Sequence, residues 1–233
     1  MNSHKFHRAI TFCHLILCTL LVACAAPPPE TPQDINLLPK YGLTPKNAEQ
    51  RAVDDKFIAS IDQEYHGDRK KAAKEMAERG WYLLRQGDSA TAMKRFNQAW
   101  LLDAENGSAL WGMAALRGQA SMFAESLQLF GEAEQFVGDD DMDFMADYAK
   151  VIAFAGLQEK DDGLVKNALA RFAFIHDRAP NHTMNLQNWA ITLYFLGDYQ
   201  AAWEKIGLAM ATPGQAELNR AFIDKLQRKM PHP

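Results

Sequence analysis

Apolar residues in much of this chain recur three or four positions apart, which is the spacing of one face of an α-helix. A helix is predicted over residues 44–66, with Thr44 as its N-cap and Pro45 in its first turn. A second is predicted over residues 217–233. The apolar positions of the two are four apart: Val53, Phe57, Ile61 and Tyr65 in the first, and Leu218, Phe222 and Leu226 in the second.

Between these two helices, small and aromatic residues return at a fixed interval of 34 positions. Small residues allow two antiparallel helices to approach within about 8–10 Å, and aromatic rings fill the space between neighbouring pairs. A repeat of this length is typical of structural units that stack on their neighbours and bury apolar residues between them. The residues that carry it are Ala92, Phe96 and Ala99, followed by Ser126, Phe130 and Ala133.

This period and these residue types resemble the tetratricopeptide repeat (TPR), a helix–turn–helix unit. The resemblance covers residues 73–216 as about four repeats. It implies an all-α fold, a right-handed α-solenoid whose ends are capped by the helices at 44–66 and 217–233. Gly87-Asp88 and Gly197-Asp198 occupy the turn of the first and fourth repeats.

Two repeats depart from the pattern. In the second, Ser121-Met122 replaces the Gly-Asp turn. The third fits only with eight extra residues, near positions 156–163, which form either a longer loop or an extra helical turn.

In TPR domains the first helix of each repeat lines a concave groove through its second, fifth, ninth and twelfth positions. The resemblance therefore implies a peptide-binding groove that is mostly apolar and aromatic, suited to an amphipathic helix or an extended peptide. The alternative is that some of these side chains pack on the N-terminal helix or on each other. The candidate groove residues are Lys74, Trp81, Leu84, Trp111, Met145, Ile152, Gln187, Ile191 and Tyr194.

Two features of this predicted groove limit its ligands. Lys74 is its only charged residue. Family members that clamp a terminal carboxylate place Lys and Asn where this chain has Ala77 and Trp81, so that ligand class is not expected.

The N-terminus has the order of a secretion signal, with Lys5 and Arg8 ahead of an apolar stretch that ends at Ala23. That stretch has about 15 residues, fewer than the roughly 20 needed to cross a bilayer. Residues 1–23 are therefore predicted to be a cleaved signal peptide. Leu21-Val22-Ala23-Cys24 resembles the lipobox of bacterial lipoproteins, which implies a diacylglycerol on the Cys24 thiol and an N-acyl chain after cleavage. An ordinary signal peptide or a membrane anchor with an unrelated cysteine is the alternative.

Residues 24–43 are predicted to be a lipidated N-terminus followed by a linker, because Pro27, Pro28, Pro29 and Pro32 favour an extended, semi-rigid spacer. Ala25 follows the cysteine. Since an acidic residue there is the usual inner-membrane retention signal of Gram-negative lipoproteins, the resemblance implies an outer-membrane, periplasm-facing location. Two or three acyl chains on one cysteine suffice for stable anchoring.

Composition and net charge limit the classes of partner that this chain is expected to bind. With 48% hydrophobic and 23% charged residues, the chain can build an ordinary globular core. Its formal net charge is −4, and cleavage would remove Lys5 and Arg8, so nucleic acid and anionic headgroups are not expected as partners. Cys13 and Cys18 fall within the predicted signal peptide, which leaves no free thiol for a disulfide or for catalysis.

Candidate chemistry is sparse. The acids at positions 139–143 alternate as in a calcium loop, but Phe144 and Lys150 stand where such a loop needs Gly and Glu. No histidine of the mature chain has a partner four positions on, and the sequence has no nucleophile elbow, phosphate loop or zinc-protease motif. We therefore expect no catalytic residue, no metal, no small-molecule substrate and no cofactor apart from the acyl chains.

These observations predict a non-enzymatic, lipid-anchored scaffold or assembly factor that binds a protein or peptide at the membrane. Family analogy puts pilus assembly and secretion first among its pathways. The alternative is an accessory subunit or regulator of an enzyme acting on peptidoglycan or polysaccharide, and a third interpretation is a purely structural spacer.

Overall fold

A computed structural model describes residues 34–138 and 140–231 of the chain. The predicted signal peptide, Cys24 and the proline-rich part of the linker lie outside the described residues. The described part contains ten α-helices and no strand. In chain order they are α1 (Ala48–Glu64), α2 (Arg69–Arg85), α3 (Ser89–Leu102), α4 (Gly107–Gln119), α5 (Phe123–Ala133), α6 (Met142–Glu159), α7 (Asp162–Arg178), α8 (Thr183–Phe195), α9 (Tyr199–Met210) and α10 (Arg220–Lys229).

Consecutive helices pair into four hairpins: α2 with α3, α4 with α5, α6 with α7, and α8 with α9. Each hairpin packs on the next through α3 on α4, α5 on α6 and α7 on α8, so the helices form a solenoid. The predicted all-α fold of stacked hairpins is confirmed. No helix within residues 34–138 or 140–231 is both long enough and apolar enough to cross a bilayer.

The residues that recur at 34 positions form the centre of the core, and all six are fully buried. Phe96 joins the first two hairpins, because its ring lies against Gly80 of α2 and Gly112 of α4. A methyl group at Gly80 would come within 2.5 Å of the ring, and one at Gly112 would come closer still. Ser126 is tolerated in this apolar interior since its hydroxyl donates to the Ala114 carbonyl at 2.7 Å.

The hairpin turns differ in how well they are stabilised. Gly87 and Gly197 adopt φ of 82° and 83°, and the aspartates after them accept a backbone N–H at the start of α3 and α9. Asp161 caps α7 in the same way. In the α4–α5 turn, Ser121 takes a left-handed φ of 59° and Met122 offers no capping oxygen, so this turn is the weakest of the four.

The extra residues of the third repeat lengthen its helices. Helix α6 has 18 residues and α7 has 17, and the chain reverses at Lys160, which has a φ of 57°. Gly156 is buried where the helices cross, because a methyl group there would lie 2.9 Å from Val165. Of the two alternatives for positions 156–163, the extra helical turn is the one observed.

Helix α1 begins at Ala48 instead of at residue 44 as predicted. Asn47 is its cap, and Asn47 and Gln50 exchange side-chain-to-backbone hydrogen bonds of 2.9 Å in a capping box. This reciprocal pair satisfies two N–H groups, whereas Thr44 would satisfy one. Only the second half of α1 caps the solenoid: Ile61 is buried against the first hairpin, while Val53 is 62% exposed.

The C-terminal helix begins at Arg220, three residues after the predicted start, with Asn219 as its cap. Phe222 and Leu226 are buried as the spacing predicted. The Trp203 indole of α9 donates to the Met230 carbonyl at 2.8 Å, which fixes the end of α10 on the fourth hairpin.

Residues 34–43, predicted to belong to the linker, pack on the solenoid instead and are called the strap here. Two short turns, Ile35–Leu37 and Pro39–Leu43, lie against α3, and Tyr41 is buried. The strap is held by individual polar contacts, chiefly between the Asn97 side chain and strap backbone groups, and not by a periodic apolar stripe. Periodicity therefore gave no sign of the strap.

Candidate functional site

An open cavity of about 500 Å³ lies between the first helices of the first three hairpins. Its walls are mostly apolar, with several polar groups at the rim. Helix α2 contributes Trp81, Leu84 and Arg85; α4 and its turn contribute Ala115, Gly118, Gln119 and Ser121; α5 contributes Phe123 and Phe130; α6 contributes Asp147, Lys150, Val151 and Phe154; and α8 contributes Met184.

Helical spacing brings these side chains to one surface. The residues of α2 are at positions i, i+3 and i+4, and those of α6 at i, i+3, i+4 and i+7, so each set forms a single stripe. Gly118 lets α4 approach α6 closely, because a methyl group there would lie 2.9 Å from Val151. The cavity lies between α2 and α6, and small residues of α4, Ala115 and Gly118, form the surface between these two helices.

Two groups of aromatic rings border the cavity. Trp81 and Trp111 meet edge to face with centroids 4.7 Å apart, and Trp111 meets Phe144 at 5.6 Å. On the other side Phe123 stacks on Phe154 at 6.2 Å, and Phe154 meets Phe195 at 5.7 Å. Rings in these arrangements provide contact area at little entropic cost to a ligand.

Hydrogen bonds hold the two tryptophans in place. The Trp81 indole donates to the Ser108 hydroxyl at 3.0 Å, and the Trp111 indole donates to the Asp147 carboxylate at 3.2 Å. Because Trp111 is on α4 and Asp147 on α6, the second bond also joins neighbouring hairpins. This wall of the cavity is consequently rigid before any ligand arrives.

The cavity carries more charge than the sequence predicted. Asp147 and Lys150 form an ion pair of 3.3 Å within α6, and Arg85 lies at the rim on α2. Lys74, the predicted charged residue, is exposed near the start of α2 and does not line the cavity. Arg85 follows Trp81 by one helical turn and could have been found from that spacing.

Behind the cavity wall, Tyr148 stacks on Phe130 with the ring planes 5° apart and the centroids 4.9 Å apart. Burial raises the pKa of the Tyr148 phenol, with the Glu134 carboxylate adding to the rise. The phenol is therefore neutral at physiological pH and acts as part of the packed wall.

The structure separates the predicted groove residues of the first three repeats into two sets. Trp81 and Leu84 line the cavity, and Trp111 supports it from behind. Met145 packs against the core of the first two hairpins, and Ile152 is 5% exposed within the core of the third. On α6 the cavity residues stand two positions further on, and since 3.6 residues make one turn, such a shift moves a side chain by about 200° around the helix.

The predicted residues of the fourth repeat are covered by the chain's own C-terminal segment. Gln187 is buried and accepts a hydrogen bond from the Asn219 backbone at 2.6 Å. Tyr194 meets Phe222 edge to face at 5.7 Å, and Ile191 packs in the same cluster. Only Met184, at the start of α8, extends this face into the open cavity.

Metal chemistry has no assembled site in the described part of the chain, where no three His, Cys, Asp or Glu side chains come together as ligands would. His182 and Asp143 form an isolated pair at 3.1 Å, and the His182 ring also caps α8. The cavity thus offers apolar contact area and a few rim charges, which is the arrangement of a binding surface.

No family model matches the chain, and no curated protein sequence matches it. Among solved structures it is similar to YrrB, described as a TPR protein with an unusual peptide-binding site. The two are 17% identical over 68% of this chain and 97% of that chain, with a TM-score of 0.32. The stacked hairpins, with fully buried residues 34 positions apart, make the described part of the chain a TPR-like helical solenoid.

Proposed function

We propose that this protein is a lipid-anchored scaffold at the periplasmic face of a bacterial outer membrane, and that its cavity binds a segment of a partner protein. The observation that supports the binding part of this proposal is the open, aromatic-lined cavity between α2, α4 and α6. A cavity of this size accepts one or two large apolar side chains of a helix or an extended segment.

The rim charges restrict the partner further. Arg85 and Lys150 carry positive charge, and the Asp147 carboxylate already interacts with Trp111 and Lys150. A partner segment with an apolar anchor and a neighbouring acidic residue would suit this surface. Pilus or secretion machinery is our first choice of pathway, on the resemblance to TPR lipoproteins, and a cell-envelope enzyme regulated by this protein is the alternative.

Crosslinking in intact cells tests the cavity. We expect a photo-crosslinking amino acid at Gln119, an exposed residue on the rim, to capture one defined protein because the partner passes over this position. The same amino acid at Gln200, an exposed residue of α9 outside the cavity lining, is the matched control. Mass spectrometry of the captured protein distinguishes a pilus or secretion component from a cell-wall enzyme. Equal capture from both positions would contradict the proposal.

Acylation of Cys24 tests the anchor. Cells grown with an alkyne-tagged fatty acid should label the wild-type protein, and Cys24→Ala should remove the label because the thioether cannot form. Cys18→Ala is the control and should leave labelling unchanged. Retention of the label in the Cys24 variant would overturn the lipoprotein assignment, while the solenoid and its cavity would stand.

A further inference from the structure

The strap binds at a place on α3 that is built to receive it. Asn97 is fully buried, and its side-chain amide donates to the carbonyls of Asn36 and Leu38 at 2.9 and 2.8 Å. Its carbonyl oxygen accepts from the Tyr41 backbone at 3.4 Å. Without the strap, Asn97 would lose every hydrogen bond that the structure gives its side chain, which is unfavourable for a buried amide.

The strap also ties the first hairpin to the second. Lys40 forms an ion pair of 2.7 Å with Glu132 of α5, and only 11% of the Lys40 side chain is exposed. Tyr41 lies against Trp100 of α3 at 6.5 Å, and its burial raises the pKa of the phenol. One short segment therefore holds α3 and α5 together.

The backbone of the strap is strained. Lys40, Tyr41 and Leu43 have φ of 52°, 55° and 52°, in the left-handed region that disfavours non-glycine residues, and Gly42 lies among them. Such a conformation persists only where surrounding contacts hold it. The contacts of the strap favour its docked position, and the strain of its backbone opposes that position. A segment with both properties can be released.

The α4–α5 turn lies between the strap and the cavity, together with residues 117–119 at the end of α4 and Phe123 at the start of α5. On one side Arg117 donates to the Leu37 carbonyl at 3.5 Å, and Leu37 lines a hollow together with Arg117 and Ala120. On the other side, Gly118, Gln119, Ser121 and Phe123 line the candidate binding cavity. A displacement of this turn would therefore change both surfaces.

This turn is also the one least able to hold its own shape. Ser121 adopts a left-handed conformation and α5 starts without a capping side chain, whereas the turn at Gly197 and Asp198 has both favourable residues. Elements with few stabilising interactions open locally before the rest of a protein does.

We propose that docking of the strap holds the α4–α5 turn in place and thereby sets the shape of the cavity wall, so that release of the strap alters ligand binding. By linkage, a ligand that prefers one position of the turn changes the docking of the strap by the same factor. The effect on ligands rests on the proposed function, but the coupling of the strap to the turn does not.

Hydrogen exchange of the protein as purified from cells tests the coupling. Asn97→Ala should speed exchange at least tenfold in residues 35–41 and also in residues 118–123, while residues 196–199 stay unchanged. Asn188→Ala removes another buried asparagine, away from the strap, and should not produce this pattern. Faster exchange in the strap with no change at 118–123 would overturn the proposal.

A charge exchange provides a variant that creates no cavity. Lys40→Glu should speed exchange at the same two segments, because it opposes Glu132, and Lys40→Glu combined with Glu132→Lys should restore slow exchange. Failure of the double variant to restore the turn would count against the proposed coupling.

Repair of the turn separates coupling from general loosening. The repaired variant adds Ser121→Gly and Met122→Asp to Asn97→Ala. The hydrogen-exchange rate of residues 118–123 should return to within threefold of the wild-type rate, while residues 35–41 still exchange faster than in the wild type. The dye 1-anilinonaphthalene-8-sulfonate serves as an apolar anionic probe of the cavity. Its dissociation constant should change at least threefold in Asn97→Ala and stay unchanged in Asn188→Ala, because Asn188 does not line the cavity.

The outcomes separate the two proposals. An unchanged dye constant would overturn the effect on the cavity. If the dye and exchange results are as expected but Gln119 captures no partner, the proposed function fails and the coupling stands.

Discussion

Replacing Phe96 with alanine is expected to lower the free energy of unfolding by about 3–5 kcal/mol, the usual cost of removing a fully buried aromatic ring. The ring touches Gly80 of the first hairpin and Gly112 of the second, and it meets Trp81 at 5.5 Å. The two glycines cannot fill the space, because glycine has no side chain. Urea unfolding followed by far-ultraviolet circular dichroism measures the change.

The control for this prediction is Phe174→Ala. Phe174 is 41% exposed and its ring contacts the guanidinium of Arg178 at 4.2 Å, so its loss should cost less than about 1 kcal/mol. Gly112→Ala tests the same contact, because its added methyl group would meet the Phe96 ring. The free energy of unfolding lost through Gly112→Ala should therefore be smaller when Phe96 has already been replaced by alanine. Similar costs for Phe96→Ala and Phe174→Ala would show that the ring does not join the hairpins.

Leu84→Asp is expected to reduce crosslinking of the partner from Gln119 at least tenfold. Leu84 lines the cavity, and a carboxylate there would have to lose its hydration when the partner's apolar side chain enters. The loss corresponds to about 1.4 kcal/mol or more of binding free energy. The measurement is the yield of captured protein, together with a circular dichroism spectrum showing that the helices remain.

Tyr82→Asp is the matched control for that experiment. Tyr82 is close to Leu84 on α2 but is 46% exposed and does not line the cavity, so the same charge there should leave capture unchanged. If both variants reduced capture equally, the effect would belong to the net charge of α2 and the cavity would not be the binding site.

The fold of the first two repeats could be predicted because one spacing determined it. Phe96 and Phe130 are 34 positions apart and are fully buried at the same place in successive hairpins. The turn at Gly87 and Asp88 was equally visible, since a left-handed glycine followed by a capping aspartate has a distinct sequence signature. Trp81 and Leu84, which line the cavity, followed from that register.

In the third repeat the 34-residue period is interrupted, and the positions that face the cavity could no longer be assigned from the spacing. With extra residues in the third repeat, nothing in the sequence fixed which face of α6 is turned to the cavity, and Asp147, Lys150 and Phe154 were missed. The docking of the strap, and the position of the predicted C-terminal cap over Tyr194, were missed for another reason. Both depend on contacts between residues far apart in the chain, Asn97 with the strap and Phe222 with Tyr194, and no local pattern encodes such pairs.

Helix α10 has a consequence for assembly. Its inner side seals the fourth hairpin through Phe222 and Leu226, and its outer side presents Arg220, Asp224, Lys225, Arg228 and Lys229 to water. Charges of this kind stay hydrated, so the outer side of α10 has little apolar area to bury against another copy of the chain. We therefore expect self-association through the outer side of α10 to be unfavourable.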